Sequence, residues 1–414
     1  MNTLEIDRAQ DESSSIPIDR IDVSDPRRFQ DDTIWPYFAR LRKEDPVHYC
    51  RDGMFGPYWS ITKYRDIMAV DTNHKAFSSE AGGIIIVDRK EGERYPSFIA
   101  MDPPKHDEQR KTVSPIVAPG NLANLEGLIR SRVRMILDGL PRQENFNWVE
   151  RVSIELTTQM LATLFDFPLE DRSLLTYWSD VATTFPQAGQ PIDTWEKRDA
   201  ILADCLAYFT RLWNDRINKD PGSDLISMLA HSPSTRNMNP REFLGNLILL
   251  IVGGNDTTRN SITGGLWFMS QNPDELRKLR NNPAIVPSAV SEIIRYQTPL
   301  AHMRRTALQD TMIGSKRIHE GDKVIMWYIS GNRDEDAIDN PNSFIIDRRN
   351  PRQHLSFGFG IHRCVGNRLA ELQLRILWEE ILERAMDIQV VGEPQRIASN
   401  FVHGYSALSV RIAA

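Results

Sequence analysis

Apolar residues recur at spacings of three and four along several long stretches of the chain, which is the pattern of amphipathic helices. The longest stretch starts at Asn239-Pro240, a capping residue followed by a first-turn proline, and it ends at Asn272-Pro273. At about 1.5 Å per residue, a helix of this length crosses a whole domain. The other long helices are expected at residues 121–140, 150–165, 201–217, 287–296 and 369–384.

Extended segments are fewer and shorter than the predicted helices. Residues 47–50 and 58–62 flank the turn pair Asp52-Gly53, which predicts two paired strands near the start of the chain. A short apolar run at residues 324–329 predicts a buried strand. We therefore expect a mainly α protein with a smaller β region.

The composition is that of an ordinary globular protein, with 41% hydrophobic and 26% charged residues among 414. The formal net charge of -6 gives no basic field that would attract nucleic acid. The start of the chain lacks a secretory signal, and the longest apolar run, residues 247–252, is too short for a membrane span. Because no repeat or linker divides the chain, we expect a cytoplasmic protein with a flexible tail at residues 1–20 and a single domain at residues 21–414.

The three cysteines, Cys50, Cys205 and Cys364, are far apart and form no paired motif, which argues against a disulfide framework or a structural zinc site. Only Cys364 has a chemically suggestive context, since it lies in a glycine-rich loop directly before a predicted helix. Loop amides and the helix N-terminus are expected to lower the pKa of its thiol and to stabilise the thiolate. The alternative for Cys364 is a buried free cysteine in a turn. Cys50 and Cys205 lack this loop context and are expected to be core or surface thiols.

The spacing from Phe357 through Gly360 and Cys364 to Gly366 resembles the haem-binding loop of the cytochrome P-450 family. The resemblance implies that the Cys364 thiolate binds the iron of haem b and that Phe357, Gly358 and Gly366 surround it. Thiolate ligation donates electron density that favours cleavage of the O–O bond. It also implies the cytochrome P-450 fold for residues 21–414, with the long helix crossing over the haem.

A second motif, Glu292-x-x-Arg295, resembles the family's Glu-x-x-Arg motif, and Arg348 matches the third member of its network. Taken alone, residues three apart on a helix form an ordinary surface ion pair. The resemblance implies instead a buried, structural network that supports the haem loop.

A third motif, residues 253–258, places polar groups inside the apolar stripe of the longest predicted helix. The plain reading is two glycines for close packing and a polar patch facing water. The stretch resembles the family's oxygen-binding segment, in which glycines such as Gly253 open the helix locally to seat dioxygen. Asp256 and Thr257 match the acid–alcohol pair that relays protons, which makes them the expected catalytic residues.

A fourth motif places His106 and Arg110 four residues apart, hence on one face of a helix. A solvated face is the alternative for such a pair. In the family this pair contacts the haem propionates, and Arg305 and His362 match other propionate-binding positions. Arg304 is adjacent to Arg305, so the sequence leaves both open for that position.

Four longer stretches, residues 246–260, 299–305, 326–335 and 367–381, resemble the soluble bacterial branch of the family that hydroxylates alkanes and fatty acids. The resemblance implies oxygen insertion at the terminal methyl group of a medium-chain alkane or fatty acid. Monooxygenation of a terpene, a peroxide-driven reaction and non-catalytic haem or lipid binding are the alternatives. The expected substrate contacts, for each of which core packing is an equal alternative, are Ile84, Ile85, Ile86, Val87, Leu250, Gly253, Leu300, Met303 and Phe401.

The chain carries no flavin or nicotinamide motif, so electrons are expected to come from another protein. The resemblance implies a [2Fe–2S] ferredoxin with a flavin-containing ferredoxin reductase, acting on a monomer. Acidic ferredoxins are expected to dock on Arg110, Lys111, Arg363 and Arg368, although solvated surface charges are nearly as good an explanation.

Overall fold

The computed structural model describes residues 3–186 and 189–413. Helices dominate it, as the hydrophobic pattern predicts. The α-helices are α1 Thr3–Ser15, α2 Pro26–Gln30, α3 Trp35–Glu44, α4 Tyr64–Thr72, α5 Lys105–Val113, α6 Pro119–Asp138, α7 Glu155–Phe165, α8 Ser173–Thr183, α9 Trp195–Ile217, α10 Leu225–His231, α11 Pro240–Gln271, α12 Pro273–Asn281, α13 Val286–Gln297, α14 Tyr328–Gly331 and α15 Asn367–Glu383.

The strands are short and form small sheets. They are β1 Val47–Cys50, β2 Tyr58–Ile61, β3 Phe77–Ser78, β4 Asn145–Asn147, β5 Met303–Ala307, β6 Thr311–Ile313, β7 Lys316–Ile318, β8 Lys323–Met326, β9 Ile388–Val390, β10 Gln395–Arg396, β11 Tyr405–Ala407 and β12 Ser409–Ile412. The largest sheet has the order β1-β2-β8-β5-β3, in which only the β2–β8 pair is parallel. The predicted hairpin of β1 and β2 is confirmed, with Val47 opposite Ile61.

Helix α11 is the structural axis of the protein. The Asn239 side chain accepts a hydrogen bond from the backbone N–H of Glu242, and Pro240 occupies the first turn, as the sequence predicts. Its 32 residues span about 48 Å at the usual rise of an α-helix. Most of its side chains are buried, because α7, α8, α13 and α15 pack around it. This arrangement agrees with the mainly α fold expected from the sequence.

The strand predicted at residues 324–329 ends three residues early. Strand β8 stops at Met326, and Trp327 turns the chain into the short helix α14. Trp327 is fully buried and stacks on Phe29 at 5.9 Å between ring centroids. The apolar run therefore reflects burial on both sides of this turn, and burial alone does not distinguish a strand from a buried helical turn.

The predicted N-terminal tail contains helix α1, whose Ala9 and Ser13 are buried. Arg40 of α3 donates a hydrogen bond to the carbonyl of Ser13 at 2.6 Å and so links α1 to the domain. Residues 1 and 2 of the predicted tail lie outside the described residues. The flexibility of the tail and the domain boundary at residue 21 stay predictions. Among the described helices, none is both long enough and apolar enough to cross a membrane.

Candidate active site

A cavity of about 600 Å³ lies beside the middle of α11, between this helix, the loop that follows β3 and the start of α15. Most of the predicted substrate residues line it. These are Ile84, Ile85, Val87, Leu250, Gly253, Leu300, Met303 and Phe401.

Ile86 is the exception among the predicted substrate contacts. It does not line the cavity, and its side chain is 1% exposed and packs in a core that includes Tyr58 and Trp327. Its backbone carbonyl accepts a hydrogen bond from Lys323 at 3.1 Å. The expectation of substrate contact at Ile86 is therefore wrong for this conformation, because the loop turns this one side chain into the protein interior.

Cys364 lies at the wall of the same cavity, at the end of the glycine-rich loop. Its backbone N–H donates to the carbonyl of Phe357 at 2.8 Å. Gly358 and Gly360 have φ angles of 63° and 66°, which favour glycine, and a Cβ atom on Gly360 would lie only 2.5 Å from the carbonyl oxygen of Asp71. The loop therefore depends on these two glycines for its shape.

Asp71 of α4 holds this loop from the other side, a role that the sequence did not suggest. Its buried carboxylate accepts hydrogen bonds from the backbone N–H of Phe359 at 2.7 Å and from the Tyr328 hydroxyl at 2.8 Å. It also pairs with Arg305 at 2.8 Å. One carboxylate thus joins the cysteine loop, α14 and β5.

The expected lowering of the Cys364 pKa is not seen for the chain alone. Cys364 is exposed to the cavity, but desolvation of its sulfur by the surrounding protein raises the pKa of this thiol and outweighs the backbone N–H of Gly366 and the positive charge of Arg110, which act in the opposite direction. If Cys364 held a metal ion through its sulfur, the charge of that ion would favour the thiolate. Burial also raises the pKa of the two other thiols, that of Cys50 to about 12, and both lie in the core.

His106 and His362 face each other, with ring centroids 4.4 Å apart. His362 accepts or donates one hydrogen bond, between its Nε2 and the Ser79 hydroxyl at 3.0 Å. Its Nδ1 and the Nε2 of His106 are buried and have no hydrogen-bond partner among the described residues. Burial, with the nearby charge of Arg305, lowers the pKa of His362 to about 2, and burial also lowers the pKa of His106. Both rings are therefore neutral, with one nitrogen each free for a bound group.

Arg110 and Arg305 line the cavity close to these histidines, whereas Arg304 does not line it. Arg304 instead pairs with Asp88 at 2.7 Å, so Arg305 is the better placed of the two neighbours. His106 lies behind His362, outside the cavity wall. Two arginines and two unpartnered ring nitrogens form a cradle for a buried anionic group such as a carboxylate.

Glu292, Arg295 and Arg348 form a buried network, as the motif predicts. The Glu292 carboxylate accepts two hydrogen bonds from Arg295, both at 2.7 Å, and one from Arg348 at 2.9 Å. Glu292 and Arg295 are at most 1% exposed, which excludes the surface ion pair of the alternative interpretation. Arg295 also donates to the carbonyl of Asn332, and the Asn332 side chain accepts from the backbone N–H of Leu355, two residues before Phe357.

Thr257 lines the cavity, and its hydroxyl donates to the carbonyl of Gly253 at 2.8 Å. Asp256 is fully buried and does not line the cavity, because its carboxylate pairs with Arg259 at 2.7 Å on the outer side of α11. The helix is continuous through residues 253–258, so the expected local opening is not seen. Burial raises the pKa of Asp256 to about 6, against the opposing charge of Arg259.

The comparisons with known proteins decide the family. The cytochrome P450 family model matches residues 27–386. The chain belongs to the cytochrome P450 family. It is therefore a P450 monooxygenase, and family membership implies a haem cofactor.

Solved P450 structures share the whole fold. A cytochrome P450 named CYP153D17 from Sphingomonas sp. PAMC 26605 is 48% identical, with a TM-score of 0.91 over 96% of this chain and 100% of that chain. Cytochrome P450-153 from Novosphingobium aromaticivorans is 47% identical, with a TM-score of 0.89 over 94% of this chain and 99% of that chain. Among curated proteins, linalool 8-monooxygenase from Pseudomonas putida is 34% identical over 95% of this chain and 99% of that protein.

The residues present fit the haem that this P450 requires. The glycine loop presents one cysteine sulfur to a cavity bounded by α11, and the cradle of unpartnered histidine nitrogens and arginines fits two carboxylates of the macrocycle. Sequence reasoning missed three basic residues and a tyrosine that line the same cavity, Arg89, Arg94, Arg198 and Tyr95. Their loop and helix positions carry no distinguishing motif, so only the folded arrangement brings them together.

Proposed function

We propose that this P450 inserts one oxygen atom from O2 into the terminal methyl group of a linear aliphatic substrate, a medium-chain alkane or a fatty acid. The observation that carries the proposal is the predominantly apolar cavity that contains both Cys364 and Thr257 in its wall. The resemblance of the longer stretches to the alkane-hydroxylating branch supports the same substrate class.

We assign the cofactor as haem b, held by the thiolate of Cys364. When bound, the haem supplies the reductive activation of dioxygen and the transfer of one oxygen atom to a C–H bond. Phe357, Gly358 and Gly366 bound its cysteine side, where side chains larger than hydrogen at Gly358 would meet Asp71 and Tyr328. Arg110, Arg305 and His362, which line the cavity, bind the propionates directly, and His106, whose ring lies 4.4 Å from that of His362, completes this group from outside the cavity wall.

Thr257 and Asp256 have different roles in proton transfer. The Thr257 hydroxyl lies at the cavity wall and holds its proton toward the Gly253 carbonyl, from which a small rotation brings it into the cavity. Asp256, with a pKa of about 6, holds or releases a proton close to neutral pH. Because the Asp256 carboxylate points away from the cavity, a proton can pass between Asp256 and Thr257 only through water or after a change of the Asp256 rotamer.

Attack at the chain end depends on orientation, since inner methylene C–H bonds are weaker than those of a methyl group. Leu250 and Gly253 of α11 line the cavity together with Leu300, Met303 and Phe401. The four apolar side chains and the space left by Gly253 hold a flexible chain with its end toward Cys364 and keep inner carbons away.

Electrons are proposed to come from a [2Fe–2S] ferredoxin, itself reduced by a flavin-containing reductase, in the cytoplasm, with the enzyme a monomer. Lys111, Arg363 and Arg368 are exposed and Arg110 is half-buried near the cysteine loop, where a surface complementary to an acidic ferredoxin would form. A reduction rate that falls with rising salt supports this docking; a salt-insensitive rate counts against it.

The test is turnover of octane and dodecanoic acid with a ferredoxin and its reductase, with the products separated by gas chromatography. The proposal predicts terminal alcohols as the main products. Subterminal alcohols only, or no product from either compound, would contradict it.

A terpene is the second candidate substrate, because the relative from Pseudomonas putida is named for its action on linalool. Turnover of linalool in the same assay distinguishes a terpene substrate from a linear aliphatic one. Higher kcat/KM for linalool than for octane and dodecanoic acid would replace the aliphatic proposal.

A further inference from the structure

Two arginines at the wall of the substrate cavity share a single carboxylate. Arg89 lies in the loop after β3 and Arg198 in the first turn of α9, and both line the cavity. Asp199 pairs with Arg89 at 3.1 Å and with Arg198 at 3.2 Å. Both guanidinium groups lie against the ring of Trp195, at 4.3 and 5.3 Å from its centroid. Arg89 and Arg198 carry two positive charges and share the single negative charge of Asp199, so their partners in the described parts of the chain leave one positive charge without a counterion.

Because the two arginines are buried, the positive charge without a counterion destabilises the folded protein. Their side chains are 9% and 8% exposed, and the Nε–H of each is buried without an acceptor in the described parts of the chain. Burial and the charge of Arg89 lower the pKa of Arg198, as expected where two cations lack a second anion. Glu292 is also shared by two arginines, but every guanidinium nitrogen of Arg295 and Arg348 has an acceptor. At Asp199 the Nε–H groups of both arginines lack an acceptor among the described residues, and that is what sets this group apart.

Their remaining hydrogen bonds show which arginine has donors to spare. Arg198 donates from Nη1 to Asp199 and from Nη2 to the carbonyl of Ala182, at the end of α8. Arg89 donates only from Nη2 to Asp199, so its Nη1 and Nε have no acceptor among the described residues. Arg89 therefore keeps spare N–H donors at Nη1 and Nε, whereas Arg198 mainly adds charge and fixes Asp199.

Tyr95 completes the group on the same cavity wall. Burial, with the negative charge of Asp199, raises the pKa of Tyr95 to about 12, so its hydroxyl keeps its proton at neutral pH. The Tyr95 hydroxyl lies near Asp199, and together with the spare N–H donors of Arg89 it can donate to the oxygens of a bound carboxylate. The proposed substrate contacts Leu250, Leu300, Met303 and Phe401 are apolar, which suits the hydrocarbon part of a substrate whose charged end lies at Arg89.

We propose that Arg89, beside Arg198 and Tyr95, binds the carboxylate of a fatty-acid substrate whose methyl end lies toward Cys364. This inference rests on the proposed function and narrows its substrate class from linear aliphatics to fatty acids. Anchoring one end of the chain also places the other end, which favours attack at the terminal carbon.

The test is binding to the purified ferric holoenzyme, followed by the spin shift of the haem. Dodecanoic acid, its methyl ester and dodecan-1-ol present the same chain with and without the charge. The wild type is expected to bind the acid at least about tenfold more tightly than the ester or the alcohol, since hydrogen bonds to charged groups are worth about that ratio. This comparison needs no variant.

Two variants separate ligand binding from a structural ion pair. Arg89→Gln is expected to weaken binding of the acid about tenfold or more and to change binding of the alcohol less than about twofold. Asp199→Asn removes the competing carboxylate, so it is expected to leave acid binding as tight as in the wild type or tighter. A purely structural pair predicts that both variants weaken acid and alcohol alike, and that result would overturn the inference.

Lys197→Gln is the matched control. It removes a neighbouring positive charge that is 58% exposed, pairs with Asp193 and does not line the cavity, and it is expected to bind all three ligands as the wild type does. An equal loss of acid binding in this variant and in Arg89→Gln would indicate a general charge effect and overturn the inference. Equal affinities of the wild type for acid, ester and alcohol, with terminal hydroxylation of the alcohol, would overturn it and leave the proposed function standing. No response to any aliphatic compound would overturn both.

Discussion

Asp256 is paired with Arg259, one helical turn further along α11, at 2.7 Å between Oδ1 and Nη2. Asp180 of α8 takes the other Nη of the same guanidinium at 2.9 Å. The carboxylate therefore lies at the junction of two helices, although the next residue, Thr257, is in the cavity wall. A proton held by Asp256 thus has to cross from the outer to the inner side of α11.

The buried carboxyl makes stability depend on pH. The pKa of Asp256 rises from 3.8 to about 6 on folding, so the folded protein binds a proton more tightly than the unfolded chain does. Its contribution to the free energy of unfolding is therefore largest below pH 4 and is lost as pH rises through 6. Relative to that of Asp256→Asn, the free energy of unfolding of the wild type should fall by up to about 3 kcal/mol between pH 4 and pH 7.5. Denaturant unfolding of both proteins at the two pH values measures this, and a constant difference would contradict the pKa.

Thr257→Ala should uncouple the reaction, because it removes the hydroxyl that donates to the Gly253 carbonyl at the cavity wall. We expect reductant consumption near the wild-type rate with severalfold less product per reductant. Thr258→Ala is the control, since Thr258 also lines the cavity but is not expected to relay protons. The measurement is product formed per NADH oxidised; wild-type coupling in Thr257→Ala would remove Thr257 from the proton path.

Glu292→Gln should prevent assembly of the holoenzyme. The substitution leaves Arg295 and Arg348 buried without their shared anion, which costs about 3–5 kcal/mol. Asp274→Asn breaks an exposed pair with Arg277 of the same i,i+3 geometry and should cost less than about 1 kcal/mol. Soluble yield and the haem-to-protein ratio report the difference. Normal haem content in Glu292→Gln would show that the network is dispensable.

His362→Leu should weaken haem retention. It removes the buried ring whose Nδ1 has no partner among the described residues and which we assign to a propionate. Haem should dissociate roughly tenfold faster, as expected for a lost hydrogen bond to a charged group. Transfer to apomyoglobin measures this rate, with His319→Ala, 62% exposed, as the control. Identical rates for all three proteins would place the propionates elsewhere.

Much of the fold follows from local signals in the sequence. Caps and prolines mark both ends of α11, and the three-four spacing locates α6, α13 and α15 to within two residues at each end, because these signals depend on neighbours along the chain. The spacing also locates the last residues of α7 and α9, but their first residues differ from the prediction by five and six positions. The Glu292 network and the cavity position of Cys364 also follow from motifs, because each motif has a fixed spacing.

The features that the sequence did not predict depend on distant parts of the chain. The pairing of Asp256 with Arg259 is set by α8, which covers that face of α11, and the orientation of Ile86 is set by a loop without regular structure. The raised pKa of Cys364 results from desolvation by the surrounding protein, which no local pattern measures. Asp71 and Arg89 act across long sequence separations, on Phe359 and Asp199, so no spacing rule identifies them.

The absorption spectrum of the dithionite-reduced protein with carbon monoxide shows whether Cys364 is the iron ligand. With Cys364 as the ligand, the wild type gives a strongly red-shifted Soret band and Cys364→His loses that band. A wild-type band at the position typical of histidine-ligated haem, or an unchanged red-shifted band in Cys364→His, would contradict this assignment.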